Sequence, residues 1–547
     1  MGLFSRVGRA PVQTAVQTPA RTAVRAAAQT VARVVPKTLA RAIMARAYPG
    51  FSGYEGASQS PRMARWLAPK AGPNALAQTG LATLRDRSRD MVRNNGIADS
   101  AVDTIVTNTI GTGIVPQFQT PDPEFNRKLA ELWLEWTDEA DADGRLDFYG
   151  LQALAVRSMV EAGEVFARLR TRRIEDGLSV PFQVQLIESE FCPLNKNEDS
   201  GANKIRAGIE FDPIGRRLMY HLYRSHPDDL TYGYLGNVLE IVPVPAAEVA
   251  HLASIRRPGM VRGEPWLTRA LVKLHDLDKY DDAQLMRQQL AALFAGFVIE
   301  DIPEDYDENE GPLGSPVDPD GYAVEPLEPG TMQLLPRGKD VKFSEPPDPG
   351  NSYVEFMRQQ LRAIAVSAGV LYEQLTGDYS QVNDRTFRAS VNEFRRRCAM
   401  WQHDLVVFQF CRPVVRQWAT LGILAGKIVP PRGINLGMIA RPKWVPQGWD
   451  YINPVQDVQA RTAEVRAGFR SRSDVVSERG YNVEQVDEEI AADNARADRF
   501  GIVLDSDPRK GKAGGQAAPA SQADPGGSQE PDDPADSDDP QDPEDTE

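Results

Sequence analysis

Leu267, Leu271, Leu274, Leu277 and Tyr280 recur every three or four positions with charges of both signs between them. That spacing predicts one long helix over residues 265–295, apolar on one side; taken alone, a helix packed on the surface of its own domain satisfies it. Residues 81–113 open as an arginine-laced helix and continue with Ala101, Ile105, Asn108 and Thr109 at the same period. Residues 125–136 and 147–162 also read as helices, the second capped by Asp147 and stopped by Gly163. Alternation then takes over: 164–170, 182–187, 205–211 and 218–223 predict strands. Further on, Phe394, Trp401, Leu405 and Phe408 recur at helical spacing within 385–421 and are expected to form its core face. After Trp444 and Trp449 a helical stretch is punctuated by Gly468 and Gly480, with Asn482 and Gln485 as a capping-box-like start. Helices and antiparallel-type strands in separate runs predict an α+β fold.

Residues 353–397 break this regularity. An amphipathic helix runs into GVLYEQLTGDYSQVNDR and out into a helix studded with arginine. Gly369 and Gly377 punctuate the loop, Tyr372 and Tyr379 anchor it, and Asp378 and Ser380 are short side chains that bond local backbone and start helices. Arg385, Arg388, Arg395, Arg396 and Arg397 follow as the strongest basic cluster of the folded region. Arginine stems lying over an apolar side would account for them, as would a role facing DNA or a neighbouring subunit. Residues 297–343, between two predicted helices, are dominated by proline and acid (DIPEDYDENEGPLGSPVDPDG), with short strand-like pieces MQLLP and VKF.

Composition narrows the function. At 547 residues, 41% hydrophobic and 25% charged, the chain exceeds one ordinary domain and has the balance of a soluble globular protein. No apolar run approaches the ~20 residues of a membrane helix. Cys192, Cys398 and Cys411 are odd in number and lack CxxC spacing, which argues against a disulfide framework and a zinc knuckle. The net charge of −15 is the wrong sign for broad gripping of nucleic acid, but it suits a wall that DNA slides past, guided by a few basic groups.

Charge is also uneven along the chain. No acid precedes Glu55, whereas Arg6, Arg9, Arg21, Arg25, Arg33, Lys37, Arg41 and Arg46 are scattered among small residues. A flexible basic arm, a processed or partner-binding segment and a targeting peptide all fit that composition. Met1-Gly2 does not complete a myristoylation motif, because Arg6 stands where Ser or Thr is required. Beyond Lys512 no basic residue occurs, and the Pro-, Gly-, Ser- and acid-rich end is expected to be disordered, as a solvating tail or a contact for a basic partner.

Catalytic motifs are missing. Glycine precedes Lys339, Lys427 and Lys512, yet none stands in a Walker A frame. Gly111-Thr112-Gly113 lacks the third glycine of a dinucleotide turn, and His221 and His226 are five apart with no HExxH. The run from Glu139 to Gly144 imitates a calcium loop, but its twelfth position is Gly150 rather than a bidentate acid. The expectation is a non-enzymatic protein with no catalytic, cofactor or metal residues.

The 353–397 helix-loop-helix and the block HLASIRRPGMVRGEPWLTRALVKLHDLDKYDDAQLMRQQLAALFAG (251–296) resemble the lambda-type portal proteins of tailed bacteriophages. Arg93-Asn94-Asn95, the turn Gly111-Thr112-Gly113 and Asn453-Pro454 resemble further family features. Two departures stand in the loop: Val370-Leu371-Tyr372 replaces the commoner Val-Pro-Tyr, and Asp384-Arg385-Thr386-Phe387 replaces Tyr-Ser-Ser-Ala. The resemblance implies a portal-type elongated subunit that assembles into a ring. Its expected parts are a flexible basic N-terminal arm (1–75), an α+β wing (76–263), a stem helix (264–296) and a clip (297–350). A returning stem helix (351–369), a tunnel loop (370–384), and a long helix with the wing return (385–452) follow. A helical crown (453–505) and a disordered acidic tail (506–547) complete it.

By the same resemblance, a dodecameric ring at one capsid vertex of the virion passes double-stranded DNA during packaging and ejection. Its partners are the terminase large subunit, the head-tail adaptor, and the major capsid and scaffold proteins, with assembly in the bacterial cytoplasm and no membrane. A prohead protease trims the N-terminal arm in such phages. Asp378, Tyr379, Ser380, Arg385 and Arg388 are the DNA-channel candidates. The alternatives are a minor capsid or scaffold-binding protein and a DNA-processing enzyme such as a nuclease, which needs a clustered acidic metal site.

Overall fold

The computed structural model describes residues 68, 70–229, 240–293, 297–298, 333–334, 350–449, 454–502 and 504. The expected basic arm up to residue 67, nearly all of the expected clip and the whole of the expected acidic tail (506–547) lie outside the described residues. The chain divides into two compact units, Met1–Thr79 and Gly80–Glu547. Among the described residues the first contributes the opening turns of helix α1 (Pro73–Asn94), and everything below concerns the second.

The 81–113 pattern holds two helices rather than one. Helix α1 stops at Asn94, and α2 (Gly96–Thr109) starts afresh because the Asn95 carboxamide oxygen accepts from the N–H groups of Ile97 and Ala98, both at 3.1 Å. A short strand β1 (Val115–Gln117) leads to α3 (Pro123–Glu139) and α4 (Phe148–Ala162). Asp147 caps α4 and Gly163 ends it at φ +89°, both as the sequence predicts.

Strand β2 (Glu164–Thr171) is the centre of a three-stranded antiparallel sheet, flanked by β3 (Phe182–Ile187) and β9 (Val249–Ala253). Its period of two sorts side chains between two cores. Val165, Ala167 and Leu169 join the main core, while Phe166 joins a smaller one with Cys192, Ile209, Tyr220 and Val244. The smaller core backs an antiparallel five-stranded meander: β4 (Glu198–Ser200), β5 (Asn203–Arg206), β6 (Ile209–Phe211), β7 (Arg217–Tyr223) and β8 (Ile241–Pro245). The expected single strand over 205–211 is thus a hairpin, turned at Ala207 and Gly208, both at positive φ. Alternation alone conceals such a turn: Ile205, Ile209 and Phe211 keep a period of two in the sequence, although Arg206 pairs with Ile209 and Ile205 with Glu210.

A 3-10 turn (Trp266–Arg269) opens the expected 265–295 helix, and α5 (Leu271–Leu293) continues it. Leu267, Leu271, Leu274 and Leu277 are all buried, as their spacing predicts. Strands β10 (Phe297–Val298) and β11 (Gln333–Leu334) pair in parallel. Then come α6 (Gly350–Ala368), the short α7 (Tyr372–Thr376) and α8 (Asp384–Trp401).

Helix α8 does not continue as a simple α-helix. Residues Gln402–Cys411 form a π-helical segment before α9 (Arg412–Leu424). The i→i+5 bonding of a π-segment advances the chain less per residue around the axis, so the 3.6-residue count from Phe394 and Trp401 slips. Phe394 and Trp401 are buried as expected and Leu405 is partly buried, but Phe408 is 59% exposed. Phe410 takes the core position instead, stacking on Phe148 with ring centroids 5.7 Å apart.

Trp418 from α9 completes the main core. It meets Trp133 at 5.1 Å and Phe118 at 5.8 Å, while Trp136 stacks on Phe182 at 5.4 Å and donates its Nε1–H to the Phe182 carbonyl at 2.8 Å. Such ring pairs add about 0.5–1.5 kcal/mol each beyond area burial. After α10 (Leu436–Ile439), β12 (Lys443–Val445) returns to pair with β1. Helices α11 (Pro454–Arg466), α12 (Arg472–Glu478) and α13 (Val483–Phe500) end the described chain.

Candidate functional site

The loop between α6 and α8 hangs on a buried ionic hub that sequence reasoning missed. Glu164 heads β2 and is fully buried. Its carboxylate pairs with Arg85 of α1, accepts from Arg262 Nε at 2.6 Å and from the Gly263 N–H at 2.8 Å, and lies 2.9 Å from His251 Nε2. Arg262 also donates to three carbonyls, those of Cys192 (2.9 Å), Ala207 (2.8 Å) and Ser189 (2.9 Å). The planar fork therefore ties the head of β2 to residues 189–192 and to the turn at Ala207. Gly163 and Gly263 let two backbone strands touch here: a Cβ on Gly263 would lie 2.0 Å from the Gly163 oxygen. The available signal was a charge at the head of an apolar strand and an arginine wedged between Val261 and Gly263.

Three residues on, Trp266 carries this rigidity to the loop. Its indole N–H donates to the carbonyl of Ala368, the last residue of α6, at 2.9 Å, and its ring meets Trp401 of α8 edge-on at 5.0 Å. The start of α5, the end of α6 and the end of α8 are thus joined at one point.

Acid acts on this hub with a definite sign. Burial raises the Glu164 carboxyl, but Arg262 and Arg85 outweigh it and hold it well below its ordinary 4.5. Burial lowers His251 from 6.5 and favours the neutral ring, despite Glu164. Both groups are depressed in the folded chain, so the stability they supply is present above their unfolded values and is lost as pH falls through the folded ones. The urea midpoint of the wild type should drop between pH 6.5 and 4.5 and stay flatter in His251→Gln. Parallel curves for the two proteins would contradict this part for His251.

The loop itself is ordered by its own short side chains. Gly377 ends α7 at φ +70°. The Asp378 carboxylate accepts from the Ser380 hydroxyl (2.6 Å) and N–H (3.0 Å) and from the Tyr372 hydroxyl (3.0 Å), with Arg358 at 3.9 Å. The Ser380 hydroxyl, the Ser380 backbone and Tyr372, in that order, hold Asp378 below its usual carboxylate range. Arg362 of α6 sits over the Tyr372 ring at 5.4 Å. From α2, the Ser100 hydroxyl donates to the Leu375 carbonyl at 2.9 Å, tying the short helix α7 to the main core.

The five candidates therefore separate. Asp378 and Ser380 are committed to each other and shape the turn. Tyr379 is 53% exposed, rests edge-on against Phe387 at 5.7 Å, and borders a polar groove with Asp99 and Asp103. Arg385 is exposed in the first turn of α8, just past the Asn383 cap. Arg388 instead lines a cavity against Trp449 and the C-terminal helices.

Elsewhere, the calcium-like run is a turn staple, with the Asp141 carboxylate accepting from the N–H groups of Asp143 (3.0 Å), Arg145 (2.9 Å) and Leu146 (3.1 Å). Glu188, Glu190 and His226 gather atoms able to hold a metal within 4.8 Å of one another. Arg89 already supplies a cation to this group, 2.8 Å from Glu190 and 3.5 Å from Glu188. Among the described residues no helix is long and apolar enough to cross a membrane.

Comparison with known proteins gives a consistent family. The chain is 27% identical to the probable portal protein of Halomonas phage phiHAP-1 over 77% of its length and 81% of that protein. It is 23% identical to the portal protein of Escherichia phage N15, covering 81% of this chain and 89% of that one. It is 21% identical to portal protein B of Escherichia phage lambda, covering 81% and 88%. Among solved structures, a chain from the neck of an empty GTA particle is matched at 15% identity and a TM-score of 0.37, over 77% of this chain and 94% of that one. The sequence profile described as phage portal protein, lambda family, matches residues 59–402, well over half of the chain. The chain belongs to the lambda family of phage portal proteins.

Proposed function

We propose that twelve copies of this chain close into a ring at one capsid vertex, and that double-stranded DNA is packaged and ejected through its bore. The observation that carries ring closure is the set of large apolar side chains that the helix pair α5 and α6 leaves exposed. The pair is joined internally, with Tyr280 5.1 Å from Phe356 and the Tyr353 hydroxyl bonded to Asp281. Yet Val272, Leu285, Met286, Val354 and Val366 remain exposed, Val272 at 70% and Val366 at 80%. Exposed apolar side chains on a helix pair are suited to packing against a neighbour, and a head-to-tail contact of this kind closes into a ring when its rotation permits.

In this reading α5 and α6 are stem helices, residues 370–384 form the tunnel loop, 297–350 the clip and 453–505 the crown. The terminase large subunit and the head-tail adaptor dock on the ring in turn, and major capsid and scaffold proteins surround it in the host cytoplasm. The chain performs no chemistry: a net charge of −15 keeps DNA from sticking, and exposed Arg385 touches phosphates transiently beside Tyr379. Charge reversal, Arg385→Glu, should lower packaged DNA by about tenfold, the size of one lost charge-assisted contact, while rings still assemble. Unchanged packaging in a quantitative assay of encapsidated DNA would remove Arg385 from the channel.

A further inference from the structure

We propose that the acidic, proline-rich C-terminal segment, residues 530–547, docks in a cavity of arginine and aromatic side chains beside the π-helical segment. The bonding pattern that turns Phe408 outward leaves its ring 59% exposed, with the Arg412 guanidinium 5.5 Å from the ring centroid. Arg416 follows four residues later on the same side of α9. Together with Arg441, Pro442 and Trp444 these residues line a cavity of about 720 Å³ that has no acid in its walls. All three arginines are exposed, and among the described residues none has a carboxylate partner. Neighbouring Lys443, by contrast, holds its ammonium 3.6 Å from Asp474. Like charges at four-residue spacing on a helix repel each other, so a row of carboxylates seated here relieves that repulsion and gains charge-assisted bonds.

The occupant follows from charge, chemistry and reach. Residues 530–547 carry ten carboxylates and no basic side chain, and Pro531 with Pro534, like Pro540 with Pro543, are three apart. The extended polyproline form has three residues per turn, so bound in that form each proline pair stands on one edge with carboxylates on the others. Proline edges of this kind settle in aromatic-lined grooves such as Phe408 and Trp444 provide, while the acids meet the guanidinium forks. The route is short. Gln117, which pairs with Lys443 next to Trp444, donates to the Tyr481 carbonyl at 3.1 Å, just before α13 begins. Helix α13 then spans roughly 27 Å, and the chain from Leu504 to Glu530 covers about 28 Å as a coil, enough to return. A tethered segment returns at millimolar effective concentration, so modest contacts suffice. A duplex fits less well: phosphates offer nothing to Pro442 and Trp444, and the major groove alone is about 12 Å wide.

The test uses full-length chains and a labelled synthetic peptide of residues 530–547, read by fluorescence anisotropy. In one chain the ten carboxylates of that segment are replaced by amides. The peptide should bind this chain about tenfold more tightly than wild type, whose own segment occupies the cavity, and should lose affinity with added salt. Adding R416Q and R441Q to the tail-neutralised chain should weaken binding about tenfold, and F408A about fivefold. All three side chains are exposed, so these changes spare the fold. R145Q, at an exposed arginine outside the cavity, should leave binding unaltered. A peptide with alanine at its four prolines should bind about fivefold more weakly. No binding to the tail-neutralised chain, equal binding to it and to wild type, or indifference to R416Q with R441Q overturns the proposal. So does a short DNA duplex that binds the tail-neutralised chain through Arg416 and Arg441 where the peptide does not. Ring assembly plays no part in these outcomes.

Discussion

Arg262→Ala should destabilise the chain by about 3–5 kcal/mol, the cost of breaking a buried ion pair from one side. Glu164 would keep its charge in a fully buried site, with Arg85 as its one remaining cationic arginine. The carbonyls of Ser189, Cys192 and Ala207 would lose the donor that gathers them. Arg262→Lys should rescue little, because one ammonium cannot serve a carboxylate and three carbonyls placed around a planar fork. Arg89→Ala is the matched control. Its partners are partly exposed, so its loss should cost no more than about 1 kcal/mol. Urea denaturation of the three variants measures this directly. A loss under about 1 kcal/mol for Arg262→Ala would show that the hub does not hold the fold together.

The double change V272D and V366D should abolish ring assembly and leave the subunit folded. Both valines are exposed in the single chain, so aspartate costs the isolated subunit little. Within a ring each contact would lose apolar burial and trap carboxylates against a neighbour, at about 3 kcal/mol or more per interface. Repeated around a closed ring, that penalty is multiplied by symmetry. Mass photometry should find subunits in place of large assemblies, with an unchanged thermal melt. Assemblies at the wild-type proportion would place the intersubunit contact elsewhere.

Hydrophobic period made much of this fold legible. The buried side of α5, the Asp147 cap, the Gly163 stop and strand β3 were all in the pattern, because local backbone chemistry decides them. Three features were not. The π-segment moved Phe408 outward and Phe410 inward, since a change of helical pitch leaves no mark in a count that assumes a constant one. The Asn95 break and the Ala207-Gly208 turn lie inside patterns that continue on both sides of them. The Glu164 hub joins residues from 85 to 263, and no local window contains it. At the loop, the sequence located the turn and its glycines. Only the fold separates Asp378 and Ser380, which hold the turn together, from the outward Tyr379 and Arg385 and from Arg388 in its cavity.

Electron micrographs of the purified full-length protein, averaged end-on, should show closed rings with about twelvefold symmetry and a bore wide enough for a duplex, whose major groove alone spans about 12 Å. Single subunits at every concentration tried, or closed assemblies without a central hole, would contradict a ring that passes DNA.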